Sequence, residues 1–140
     1  MINRITLFGL NDKIQSNNKE FEIQQLLVRL YSEYLNLEAE FDGEPSFDYD
    51  IIKKNVEANL PDFDWYHSVQ ESHKILPDTS LVTGDAINDL TDIIKDLLEV
   101  KWCFENTTQK NAIWVFCNLM QIHSEQHFVD LLKYLKDKKG

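Results

Sequence analysis

TTQKNAIWVFCNLMQIHSEQHFVDLLKYLK, Thr107 to Lys136, is the stretch whose reading decides the fold. It contains no Gly or Pro, and its apolar residues recur at helical spacing. The pattern predicts one unbroken helix of roughly 29 residues, about 43 Å long. Ile113, Phe116, Leu119, Met120, Leu131 and Tyr134 surround the angular position of His123 and His127. Both histidines are therefore expected to face inward, one turn apart. Lys133, Lys136, Lys138 and Lys139 gather at the C-terminal end, where cations complement the helix dipole.

The helix before it opens at Gly84 and Asp85 and is expected to run to about Phe104. Leu90, Ile93, Ile94, Leu97 and Leu98 form its wide apolar face. Asp85, Asp89, Asp92 and Asp96 form a separate stripe bordering that face. Like charges one turn apart are mildly unfavourable, and Asp is a poor helix-interior residue. Only Asp85 sits where the dipole welcomes a negative charge. The other three call for partners. Glu105 to Thr107 read as a short turn, with Thr107 or Thr108 as the next N-cap. Helices joined so tightly pack antiparallel. Counting out from Asn106 sets Asp89 or Asp92 opposite His123, with Asp85 nearer His127.

Two imidazoles plus one or two of these carboxylates suit Zn, Fe or Mn, so His123, His127, Asp89 and Asp92 are the candidate metal ligands. The spacing is not the His-Glu-x-x-His protease motif, because Glu125 lies on the far side of the helix from both histidines. The favoured alternative is a structural polar network of Asp85, Asp89, Asp92, Asp96, His123, Gln126 and His127 that needs no cofactor. Carboxylate–imidazole pairing there offsets the cost of burying charge. Catalysis without a metal is a third reading, and no residue is assigned to it.

Upstream, Asn17 and Glu20 resemble a capping box for a helix to about Glu38, with Leu26, Leu27, Leu30, Tyr31, Tyr34 and Leu37 toward the core. Residues 1–16 are ambiguous: Ile2, Ile5 and Phe8 suit a helix, Ile5 and Leu7 a short strand, Gly9 interrupts both patterns, and an irregular segment stays open as well. All three prolines, Pro45, Pro61 and Pro77, mark residues 39–83, together with Gly43. A short helix from about Phe47 to Asn59 is expected there, stopped by Pro61. After it, Phe63, Trp65, Tyr66 and Val69 are too apolar for a solvated linker and predict an ordered aromatic crossover packed on the helices. His67 and His73 read as surface residues.

The chain has 140 residues, of which 43% are hydrophobic, which suits one domain over 1–140. Cys103 and Cys117 lie in apolar runs and read as buried free thiols, in keeping with a reducing cytosol. No window reaches the roughly 20 apolar residues of a membrane span, and no signal peptide is apparent, so a cytoplasmic protein is expected. The formal net charge of −10 disfavours nucleic acid and favours a basic protein partner. No Gly-rich phosphate loop, Cys-x-x-Cys pair or Gly-x-Ser-x-Gly elbow is present.

NDLTDIIKDL (Asn88 to Leu97), AIW (Ala112 to Trp114) and HSEQHFVDLLKYL (His123 to Leu135) together resemble a bacterial domain of unknown function, number 5063. The likeness covers about residues 65–135. Asp89, Asp92 and Asp96 match that family's aspartates, and His123, Gln126, His127 and Asp130 match its second motif. Asn88 stands where the family often has Asp, and Ser124 and Glu125 where it favours Trp and Gly. The resemblance implies a helical bacterial domain and no particular activity.

The sequence thus predicts an all-α, up-down bundle of four main helices with an aromatic crossover. Its leading functional reading is a non-catalytic acidic interaction module, with an immunity-type protein neutralising a basic toxin as one form. The alternative is a metal-binding protein or metal-dependent enzyme.

Overall fold

The computed structural model describes residues 1–37, 46–75 and 81–140. The expected marks at Glu38, Gly43, Pro45 and Pro77 lie outside these residues. The chain is mostly helical, with one small two-stranded ribbon. The elements are α1 (Ile2–Leu10), α2 (Lys19–Tyr34), α3 (Tyr49–Asn59), β1 (Trp65–Val69), β2 (Leu81–Asp85), α4 (Ala86–Asn106), α5 (Gln109–Leu119) and α6 (Glu125–Lys138). A π-helical turn, Met120–Ser124, fuses the last two.

Helix α4 is the axis of the fold. It packs against α1, α3, α5 and α6, and Leu90, Ile93, Ile94, Leu97 and Val100 are all buried. A helix apolar over so much of its circumference has to be enclosed by others. Asp85 caps it, accepting from the Ile87 and Asn88 amides.

Residues 1–16, which the sequence leaves open between helix, strand and irregular chain, take the helical alternative. Nine of them form α1, with Ile5 and Phe8 fully buried. Gly9 is there for close packing and breaks nothing: a Cβ on it would come within 2.7 Å of Ile52 Cγ2 and 2.8 Å of Ile94 Cγ2. Asn59, at the end of α3, secures the segment that follows. It donates to the carbonyls of Phe8 and Asn11 and accepts from the Ile14 amide. Helix α2 is capped by Asn18, one residue beyond the expected cap, and it ends before Leu37, which is exposed.

The aromatic crossover contains the ribbon. β1 and β2 pair antiparallel, with Tyr66 opposite Gly84 and His67 opposite Thr83. Strand alternation divides the apolar residues between two faces. Tyr66 turns toward the helices, while Trp65 is 64% exposed and Val69 is also exposed, contrary to the packed crossover that the sequence predicts. Phe63, just before β1, is buried against Tyr134.

The long last helix departs furthest from expectation. The Glu125 amide bonds to the Met120 carbonyl, an i→i−5 bond that holds one residue more than an α-turn. That extra residue sets back the helical phase by about 100°. The core seam therefore runs Ala112, Val115, Phe116, Met120 and then Ser124, Phe128, Leu131, Leu135. His123 and His127 would occupy the seam in an unbroken α-helix. The π-turn rotates them to its edge, and His123 is exposed. Of the two thiols, Cys103 is buried but Cys117 only half-buried. Among the described residues, no helix is long and apolar enough to cross a membrane.

Candidate functional site

The aspartate stripe of α4 and the two histidines do meet. His123 Nδ1 lies 2.8 Å from Asp96 Oδ2, and His127 Nδ1 lies 2.7 Å from Asp89 Oδ1. The two contacts run in opposite sense along the helices, as antiparallel packing requires. The register is shifted one to two turns toward the connection from the predicted one, which set Asp89 or Asp92 against His123 and Asp85 near His127. Thr107 and Thr108, outside both helices, and the extra residue of the π-turn lengthen the chain without a full α-helical rise. Asp85 stays out of the cluster as a helix cap. Gln126, predicted to join the network, is exposed and stays out as well.

Each carboxylate that backs a histidine is itself held by a hydroxyl. Tyr66 Oη donates to Asp89 Oδ2, and Ser124 Oγ donates to Asp96 Oδ2. The Asp89 and Asp96 side chains are only 8% and 9% exposed, so these donors satisfy acceptors that water barely reaches. Among the described residues no buried side-chain polar atom lacks a partner. Neither hydroxyl was legible in the sequence. Tyr66 lies 23 residues from Asp89 and reaches it only through the ribbon. Ser124 shares the helix of the histidines, but unbroken α-periodicity turns it away from α4.

A carboxylate only accepts, so the ring nitrogen facing it carries the proton. In both histidines that atom is Nδ1, which leaves Nε2 as the atom open to a ligand. His127 Nε2 lies 3.4 Å from Asp92 Oδ2. The two imidazole rings stand edge to face, 4.9 Å apart. One donor atom each from Asp92, His123 and His127 lies within 4.8 Å of the others. Ligands of a tetrahedral site stand about 3.4 Å apart, given metal–donor bonds of about 2.1 Å. His127 and Asp92 already have that spacing. The His123 donor atom stands within 4.8 Å of both, on a side chain that is 44% exposed. Of the four predicted ligands, Asp89 backs His127 at Nδ1 and so stands behind the ring, while Asp92 faces its Nε2.

Electrostatics in the cluster oppose each other. The Asp89 hydrogen bond raises the His127 pKa above its ordinary value, against burial, with Asp92 and Asp96 adding to the rise. Burial raises the Asp92 carboxyl, although His127 and His123 pull it down. Tyr49, whose hydroxyl donates to Asn88 Oδ1 at 3.2 Å, is pushed up to about 12 by burial and then by Asp92. Burial and Asp89 likewise keep the Tyr66 hydroxyl protonated. Three carboxylates around two imidazoles leave a surplus of negative charge even when both rings are protonated.

No family model and no curated protein matches the chain. Its fold is similar to that of protein BF1032 from Bacteroides fragilis, known from a crystal structure. The TM-score is 0.69 at 17% identity, over 99% of this chain and 87% of that one. At this identity the likeness shows a shared fold.

Proposed function

We propose that this protein binds one divalent transition-metal ion between α4 and α6, through Nε2 of His123, Nε2 of His127 and the Asp92 carboxylate. One observation carries the reading. Both imidazoles give Nδ1–H to a buried aspartate, the carboxylate–histidine–metal arrangement that fixes the tautomer and raises ligand basicity. Two imidazoles and one carboxylate suit Zn, Fe(II) or Mn(II). Three protein ligands leave a position for water, as in reactive sites and unlike closed structural ones. The frame is an up-down helical bundle around α4, and a cytoplasmic location fits two cysteines, Cys103 and Cys117, that are not joined in a disulfide. The resemblance of Asp89, Asp92, Asp96, His123 and His127 to the motifs of domain of unknown function 5063 favours reading the cluster as one unit.

Equilibrium dialysis against Zn²⁺ tests the proposal. One ion per wild-type chain is expected, with none retained by Asp92→Asn or His127→Ala. Equal retention by the variants and the wild type would refute it.

A second reading rests on the net charge of −10, which favours a basic protein partner, an immunity-type role being one form. Such binding should weaken steeply with salt. A pull-down recovering the same partners at low and high salt would count against it.

A further inference from the structure

We infer that Tyr66 and Gly84, facing each other across the ribbon, are positioning residues for the metal ligand His127. The inference rests on the metal reading above and names what fixes its best-placed ligand. Tyr66 and Gly84 are direct cross-strand partners. A Cβ built on Gly84 would overlap the Tyr66 ring at Cζ, Cε2 and Oη, so the ring lies in the space that the missing side chain leaves. Tyr134 of α6 packs on the same ring, with centroids 5.5 Å apart. Glycine and tyrosine together fix where the phenol points, and its hydroxyl donates to Asp89 Oδ2. The other oxygen of Asp89, Oδ1, takes the Nδ1 proton of His127. Tyr66 thus occupies one oxygen of Asp89 and leaves the other aimed at the imidazole. That keeps Nε2 turned toward Asp92.

The geometry separates this role from ordinary packing. Tyr66→Phe keeps the ring against Tyr134 and over Gly84, and removes only the hydroxyl. Gly84→Ala keeps the hydroxyl but displaces the ring that carries it. Both changes should act on one quantity, the aim of Asp89. Partners of metal-ligating histidines are typically worth 10–100-fold in metal affinity.

The test is a Co²⁺ titration followed by visible absorption, on wild type, Tyr66→Phe, Gly84→Ala and the double variant. Circular dichroism would confirm that each is folded. Both single variants are expected to bind Co²⁺ about 10–100-fold more weakly, and the double variant no more weakly than the worse single. Affinities within about twofold of wild type for Tyr66→Phe would overturn the inference while leaving the metal site standing. If the wild type itself takes no Co²⁺, the metal reading fails. The positioning of His127 is then decided by nitrogen-15 NMR of the metal-free protein. A slowly exchanging His127 Nδ1 proton that is lost in Tyr66→Phe would support it, and an unchanged signal would overturn it.

Discussion

Replacing His127 by alanine separates the two histidines by their structural cost. The His127 side chain is 25% exposed and spans two carboxylates, at 2.7 Å from Asp89 and 3.4 Å from Asp92. A hydrogen bond to a charged group contributes about 1.5–3 kcal/mol. Stranding a buried charge altogether costs about 3–5 kcal/mol. Asp89 keeps the Tyr66 hydroxyl after the substitution, so the lower range applies, about 2 kcal/mol. In a chain of this size that lowers Tm by about 6–8 °C. His123→Ala should cost under about 1 kcal/mol, because its ring is largely solvated and Asp96 keeps Ser124. Thermal unfolding in EDTA, near neutral pH, measures both. The reasoning is refuted if His123→Ala destabilises as much as His127→Ala, or if neither moves Tm.

Three further expectations follow from the same packing and charge. Deleting Gln121 should turn the π-turn into ordinary α-helix without disturbing the core, because Met120 and Ser124 then fall on one seam; Tm should be no lower than wild type, and a collapse of helicity would contradict the phase argument. Gly9→Ala should destabilise by about 1–3 kcal/mol through overlap with Ile52 and Ile94, measurable by urea unfolding. The His127 pKa is raised in the folded protein, so the Asp89 pair contributes fully below the unfolded value of about 6.5 and is lost as pH rises through the folded one. Without metal, Tm should therefore decline on the alkaline side of that window. The Tm gain from added Zn²⁺ should instead grow with pH, since the ligands bind deprotonated; two profiles moving together would contradict this.

Helix α4 was legible in detail, because its apolar face and Asp85 cap are local signals. So was the meeting of its aspartates with the histidines, because a short connection between two long helices allows few other arrangements. The partner of each histidine was not legible. Register along an antiparallel pair depends on how many residues the turn uses and on whether the helices stay α. A π-turn has no period of its own in the sequence. It appears here only as a break in phase between Met120 and Ser124, where the apolar seam moves by one residue. The same break accounts for reading His123 as buried. Helix α1 was left undecided against a short strand by its nine-residue length and by Gly9, whose role lies in contact with Ile52 and Ile94, far along the chain. Tyr66 was visible as an aromatic in the crossover, but its hydroxyl's target depends on strand alternation that four apolar residues in seven, Phe63 to Val69, obscure.

The central claim is that His123, His127 and Asp92 form a metal site and are more than a polar lock between helices. Metal content of the natively purified protein, measured by mass spectrometry with no metal added, tests it most directly. The account predicts one transition-metal ion per chain, released by EDTA with a fall in Tm that Zn²⁺ restores. A protein free of transition metal, whose Tm responds to neither EDTA nor Zn²⁺, would contradict it.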